Sequence, residues 1–380
     1  MTTKELLVRL TAAPSVSGAE NAAAGVIADA LAGTADLFET DPLCNLKATL
    51  NPDAPAEDGL LLLAHMDKIG FIVTGVDEAT GFLRIEKCGG SDLRCAPAMR
   101  VKVLGKRALP GVIISTPPHL ATPDAANKAL PVDKLGVDCG LPYEDMKDLV
   151  VPGDRVMEDY PLYELGETKV CGPYLDDCAG VAAVIRAAGI YKEKGGTRRL
   201  ECVFTTREEV GGQGAETASF TSGCGAAIAV DVSFAKAPGV PETVEAALGS
   251  GPMIGCAPVL HKDISDRLKA LAEEKNIPYT VEVMGRSTGT DADDALTAGG
   301  VRIASLHISD YGPDENGVLD ERHRMPGDGI NRWNDLLAAL ERHGYAGPLM
   351  YEISSHPRGR DAYTVEAAAE NMKKLAAGQL

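Results

Sequence analysis

Aromatic side chains are scarce in this chain: one tryptophan, six phenylalanines and ten tyrosines among 380 residues. With 41 glycines beside them, that composition suits an α/β protein with many tight turns and excludes a disordered one. Positive charge is also short. The 37 Lys and Arg face 55 Asp and Glu, a net charge of -18, and such a surface repels nucleic acid and anionic membranes. The acidity reads as a device for solubility. No uninterrupted apolar run approaches the roughly 20 residues of a membrane span. The opening Met1-Thr2-Thr3-Lys4-Glu5 lacks a signal-peptide core. There is no CxxC pair. Nine cysteines, an odd number spread singly, point to reduced thiols in the cytoplasm, most of them small core residues.

What is present is an ordinary globular balance, 45% hydrophobic and 24% charged, long enough for two or three domains. Lys4 to Leu10 and Ala22 to Leu31 read as helices, and Leu60-Leu61-Leu62-Leu63-Ala64 as a buried strand. From about 70 to 165 the pattern becomes short strands separated by Gly, Pro and Asp, among them Phe71-Ile72-Val73, Val101-Lys102-Val103-Leu104 and Val112-Ile113-Ile114. That is a small β domain inserted into an α/β one. After Gly172 the rhythm resumes: a helix over 179–191, a strand at 200–204, a strand at 226–232, a helix over 263–275 and a strand at 279–283. The expected fold is α/β, a mainly parallel sheet flanked by helices. The tail alternates as well, with strands at 301–308 and 348–353 and helices at 333–342 and 365–375.

Four segments carry chemistry: His65-Met66-Asp67, Asp176-Asp177, Glu208-Glu209 and Asp231. A hard divalent cation used for hydrolysis wants carboxylate oxygens and imidazole nitrogens, with a place left for water. Three of the segments follow apolar strands and one opens a helix, so all four fall where parallel strands deliver side chains to one crevice. Singly each is weak. A lone His is commonly a core residue, Asp-Asp before a helix commonly a cap, and a Glu pair commonly a solvated face. Asp231 interrupts Ala226-Ala227-Ile228-Ala229-Val230 and Val232, where a buried charge needs a partner. The conjunction favours a metal site. In Glu208-Glu209, one carboxylate can serve as ligand and the other as general base.

These residues resemble a known family. Ala64-His65-Met66-Asp67-Lys68-Ile69-Gly70, Leu175-Asp176-Asp177-Cys178-Ala179-Gly180, Arg207-Glu208-Glu209-Val210-Gly211 and Ala229-Val230-Asp231-Val232 look like glutamyl or tetrahedral dinuclear metallo-aminopeptidases. Ala13-Pro14-Ser15-Val16-Ser17-Gly18-Ala19-Glu20 and Gly289-Thr290-Asp291-Ala292 match as well. The resemblance runs to about Ala304. It implies catalytic roles for Glu208, as general base, and for Asp67, which orients His65. It implies two divalent metal ions (Zn, Co or Mn): His65 and Asp231 on the first, Asp176 bridging, Glu209 on the second. It also implies peptide substrates and a homo-oligomer built from dimers, up to a dodecamer. The implied domains are 1–69 with 166–304 for catalysis, 70–165 for dimerisation, and 305–380 as a tail.

Two positions depart from that pattern. Cys178 stands where the family has arginine. The late histidine of the second metal is missing near Asp314, which leaves that site one ligand short, with His307, His323 or His356 as substitutes. The tail resembles the last two βα units of xylose-isomerase-like sugar-phosphate isomerases and epimerases, through His307-Ile308-Ser309-Asp310, Arg324-Met325-Pro326-Gly327-Asp328-Gly329 and Leu349-Met350-Tyr351-Glu352. A complete (β/α)₈ barrel takes about 250 residues, so this stretch closes none. Three functions follow in order of expectation: a metallo-aminopeptidase, a catalytically dead scaffold of the same fold, and a sugar isomerase.

Overall fold

The computed structural model describes residues 1–117, 120, 129–242, 245–298, 306–313, 319–342, 345, 348–354 and 362–379; at 296–298, 306–307, 313 and 319–322 it describes the backbone alone. The described chain forms two units, Met1–Gly300 and Val301–Leu380.

The first unit opens with α1 (Thr3–Ala12) and α2 (Asn21–Leu31), followed by β1 (Leu37–Thr40), β2 (Leu46–Leu50) and β3 (Leu60–His65). Six strands come next: β4 (Gly70–Val76), β5 (Leu83–Cys88), β6 (Arg100–Leu104), β7 (Ala108–Ser115), β8 (Leu135–Asp138) and β9 (Arg155–Glu158). They close a barrel in the order β4-β5-β8-β7-β6-β9. The short helix α3 (Tyr143–Met146) lies between the last two. A hairpin of β10 (Tyr163–Leu165) and β11 (Lys169–Cys171) leads to α4 (Leu175–Glu193), β12 (Leu200–Thr205), α5 (Gln213–Thr221) and β13 (Ala226–Ala229). Then come β14 (Met253–Cys256), α6 (Lys262–Lys275), β15 (Thr280–Val283) and α7 (Asp291–Ala298).

The main sheet runs β1-β2-β12-β3-β13. Its centre is parallel, β12 and β13 both pairing with β3, while β1 and β2 add antiparallel strands at one side. Apolar sequence, continuous from Leu60 to Ala64 in β3 and broken in β12 by Glu201, which is buried in a pair with Arg199, reflects cover on both faces. Side chains alternate across a strand. Accordingly Leu62, Ala64, Cys202 and Phe204 join the core beneath α1, α2 and α4, with Leu6, Leu10, Ile27 and Val181. Leu61, Leu63 and Val203 face the other way, onto Ala218 of α5 and Ala295 of α7. In the barrel the same alternation turns Phe71, Val73, Leu83, Ile85, Val101, Val103 and Val137 inward and leaves Arg84 and Glu86 outside.

One expectation changes, and two strands were not foreseen. The strand expected at 279–283 forms, but it pairs with β14 in a separate two-stranded sheet. Strands β1 and β2 carry no strong alternating signal; all four residues of β1 are exposed.

In the second unit, β16 (Leu306–Ile308) pairs in parallel with β19 (Leu349–Tyr351), and β17 (Asp310–Pro313) pairs antiparallel with β18 (Leu319–Arg324). Helices α8 (Trp333–Arg342) and α9 (Val365–Ala376) complete it. Ile308, Trp333 and Leu375 make its small core. The buried Asp310 carboxylate ties it together, accepting from the amides of Tyr311, Gly327 and Asn331 and from the Trp333 indole.

One buried cation secures the entry to the main sheet. Lys68, 1% exposed, sends its ammonium to the carbonyls of Leu10 and Ala13 at 2.7 Å and of Thr11 at 3.3 Å. These carbonyls lie at the C-terminal end of α1, where the helix has no further turn to satisfy them, and of the three Leu10 also accepts the Ala13 amide at 3.2 Å. The ammonium also lies 5.0 Å from the Tyr174 ring centroid. Lys68→Met keeps the stem and removes every donor, so it should destabilise the first unit by about 2–4 kcal/mol. Urea denaturation followed by circular dichroism measures this, and a change below about 0.5 kcal/mol would contradict the assignment.

Candidate active site

The parallel strands β3, β12 and β13 end at one level, which gathers the acidic segments. His65 is the last residue of β3 and lies beside Thr205, the last of β12. Beyond the strands the alignment continues, with Met66 N–H on the Thr205 carbonyl at 2.9 Å and Val230 N–H on the Leu63 carbonyl at 2.8 Å. Asp231 therefore follows directly past the sheet edge. Glu208 and Glu209 sit in a single helical turn, Glu208–Val210, after Arg207 at φ +62°. Asp176 and Asp177 open α4 with non-helical backbone. Asp177 Oδ1 accepts from the Gly180 amide at 2.9 Å and so caps the helix proper.

His65 is the centre, 2% exposed. Its Nδ1 lies 3.1 Å from the Asp67 carbonyl. A carbonyl only accepts, so Nδ1 carries the proton. That leaves Nε2 toward Asp176 Oδ1, 2.9 Å away. Two clusters converge on the ring, each with its ligand atoms within 4.8 Å of one another: His65, Asp177 and Asp231, and His65, Asp176 and Glu209. His65, Asp176, Glu209 and Asp231 thus come together, with Asp177 beside them. The side chain of His307 lies outside the described residues, as does all of His356. His323 is exposed on the second unit, its Nδ1 3.1 Å from the Glu352 carbonyl.

Asp67 is fully buried. It accepts the Ser17 hydroxyl on Oδ2 at 2.7 Å, the Glu208 amide on Oδ1 at 3.0 Å and the Glu209 amide on Oδ2 at 3.3 Å. Its Oδ1 is also 3.4 Å from His65 Nδ1. One residue thereby fixes the imidazole, chiefly through its carbonyl, and the backbone of the glutamate pair through its carboxylate.

The electrostatics are one-sided. Burial, with like charge from neighbours, pushes Glu208 up to about 8, Glu209 to about 7 and Asp231 to about 6. Asp177 is held well above the carboxylate range for the same reasons. Burial opposes a charged His65, yet its hydrogen bonds to Asp176 and Asp67 and the surrounding acids hold its pKa well above the ordinary value.

The sequence named these segments but not all the participants. Asp291, 2% exposed at the start of α7, accepts the Thr205 hydroxyl, and burial pushes it to about 7. Its motif, Gly289-Thr290-Asp291-Ala292, was visible; its burial was not. Gly212 has a reason as well: at φ +73° any side chain is strained, and a Cβ there would displace the Asp294 carboxylate.

Comparison with known proteins follows the same lines. The family model described as M42 glutamyl aminopeptidase matches residues 45–310. A xylose isomerase-like TIM barrel model matches 282–376, overlapping the first around the expected junction. The chain is 32% identical over 313 residues to the lysyl aminopeptidase of Pyrococcus furiosus, covering 80% of this chain and 88% of that one. Aminopeptidase APDkam598 of the archaeon Desulfurococcus kamchatkensis superposes with a TM-score of 0.70 at 29% identity, over 77% of this chain and 82% of that one. The TET1 peptidase of Pyrococcus horikoshii, which assembles into a tetrahedron or a large octahedral shell, gives 0.68 at 30% identity, over 77% and 87%. The chain therefore belongs to the M42 glutamyl aminopeptidase family of metal-dependent aminopeptidases.

Proposed function

We propose that the chain removes N-terminal residues from peptides with Glu208 as general base, in a site where His65 and Asp231 would hold one divalent metal ion (Zn, Co or Mn), Glu209 a second, and Asp176 would serve both. The observation that carries this is the convergence of Asp176, Asp177, Glu209 and Asp231 on a single buried imidazole. Such a set fits a cation on its own chemistry. Asp177 Oδ2 and Asp291 Oδ1 are buried without a partner among the described residues. Mutual repulsion among these acids is relieved by positive charge in their midst.

A divalent ion bound there supplies Lewis-acid polarisation of the peptide carbonyl and of the attacking water. The protein residues do the rest. Glu208 takes a proton from the attacking water on its carboxylate and returns it to the leaving peptide nitrogen. Asp67 holds His65 Nδ1–H and so keeps Nε2 aimed at the cluster. The acidic pocket attracts the protonated amine of a peptide N-terminus, and Asp176, with a side chain 59% exposed, stands at its mouth. A dead scaffold is the weaker reading, because buried acids at raised pKa cost stability that a purely structural protein gains by losing them.

Assembly into dimers and larger homo-oligomers is part of the same proposal, supported by the shells formed by the related TET1 peptidase and by the barrel inserted between β3 and α4. Nine free cysteines support a reducing compartment, the cytoplasm. No described helix is long and apolar enough to cross a membrane.

Two outcomes test the site. Glu208→Gln should lower kcat on aminoacyl anilides by at least about a hundredfold while bound metal per chain stays unchanged; activity retained within about tenfold would remove Glu208 from the role of base. The second is pH dependence. Without metal, the folded protein keeps protons on Glu208, Glu209 and Asp231 up to about pH 8, 7 and 6, whereas unfolded carboxyls ionise near pH 4. Across that interval the native state binds more protons than the unfolded one, so metal-free stability falls as pH rises from about 4 to 8. Metal binding requires those protons to leave, so affinity should climb over the upper half of the same window with net proton release. Titration calorimetry in two buffers of different ionisation heat reads both; an affinity flat between about pH 6 and 8 would contradict it.

A further inference from the structure

Asp67 connects to more than the site. Its Oδ2 takes the Ser17 hydroxyl at 2.7 Å, its shortest contact, and Ser17 is 3% exposed in the loop between α1 and α2. The Ser17 backbone is gripped from two sides. Its N–H donates to the Lys68 carbonyl at 3.2 Å. Its carbonyl accepts Nε–H of Arg155 at 3.0 Å and lies 3.7 Å from the Cys88 thiol. Arg155 and Cys88 both belong to the barrel, on β9 and β5. The guanidinium lies across Gly18, where φ is +83° and a Cβ would meet Arg155 Nη2 at 2.7 Å. Glycine there leaves the arginine its path.

The links form one continuous chain: Arg155 to the Ser17 carbonyl, the Ser17 hydroxyl to Asp67, and Asp67 to the amides of Glu208 and Glu209. We propose that Ser17 and Arg155 are positioning residues for the Glu208-Glu209 turn, acting through the Asp67 carboxylate, so that the barrel helps set the geometry of the reaction centre. The inference rests on the peptidase reading for its effect on catalysis, though the linkage itself does not. The physical reason lies in the carboxylate torsion. An aspartate χ2 is broad and easily rotated. Ser17 pins Oδ2; without it, that oxygen keeps only the longer contact to Glu209 N at 3.3 Å. Rotation then releases the two amides that orient the base and its neighbour.

The test uses the full chain loaded with zinc, and two readouts. Amide hydrogen exchange follows Glu208 and Glu209 directly, whether or not the protein turns over. In Ser17→Ala, exchange across 206–212 should rise about tenfold or more while the barrel and the strands keep their protection. On aminoacyl anilides, kcat should fall about 10- to 100-fold with KM within about twofold and bound metal unchanged. Ser17→Thr, which restores the hydroxyl, should recover both readouts. Arg155→Met should act in the same direction, and the double variant should be no worse than Ser17→Ala alone, because both changes break one linkage.

Unchanged exchange at 206–212 in Ser17→Ala would overturn the proposal, as would a uniform rise across the first unit or additive losses in the double variant. A parent protein with no peptidase activity would instead overturn the catalytic reading and leave the exchange result to judge the linkage.

Discussion

One buried carboxylate organises the catalytic end of the first unit. Asp67 belongs to the stretch just past β3, yet it receives hydrogen bonds from the loop before α2 and from the turn after β12. Three segments far apart in sequence meet on two oxygen atoms. Hydrogen bonds to an ionised carboxylate are the strong ones, and inside a protein they are stronger still. Their directions are also fixed. The glutamate turn and the N-terminal loop therefore hold a common geometry because they share an acceptor, and the His65 ring is held by the carbonyl of the same residue.

Around that anchor the site is arranged against its own stability. Asp177, Glu208, Glu209, Asp231 and Asp291 all lie above the ordinary carboxylate range, with burial as the first cause in each. The single imidazole offsets only part of this, and its own raised pKa is the counterpart of their repulsion. A core built for stability alone would place apolar side chains at these positions. Strand ends of an α/β sheet are where such a burden is tolerable, since the hydrophobic layers of β3 and β12 lie behind it and bear the fold. Perturbed acids concentrated at that edge are what a site for a divalent cation and a general base requires.

Much of this was legible in the chain. The run Leu60 to Ala64 announces a strand buried on both sides, and acidic residues past the strand ends announce the site, whereas Glu201 inside β12 is buried against Arg199 and Ser222 and takes no part in it. The inserted β segment shows through its short alternating strands. Other features were hidden for physical reasons. Strand β1 is exposed throughout and shows no alternation to read. Strand β15 was visible, but its partner is decided by packing, not by its own four residues. Ser17 is an ordinary serine in sequence; its importance comes from a hydroxyl 2.7 Å from an aspartate fifty positions away. Asp177 looks like a helix cap and does cap α4, and only the fold shows that its second oxygen faces the cluster without a partner.

The place of the barrel in the chain gives the site a further property. β4 begins at Gly70, just after His65-Met66-Asp67, and the hairpin that follows the barrel ends at Cys171, just before Asp176-Asp177. Both covalent connections of the barrel thus run directly into segments of the cluster. Tyr174 strengthens the second connection, its hydroxyl accepting from the amide of Glu158 at the end of β9 while Lys68 lies over its ring. An insertion joined through long loops could move without consequence for the sheet. Here the first connector is short and the second, though it carries the hairpin, is tied back to β9 through Tyr174, so a displacement of the barrel strands reaches the residues next to the imidazole and the paired aspartates. Packed interiors pass such displacements on because they leave little free volume in which to lose them.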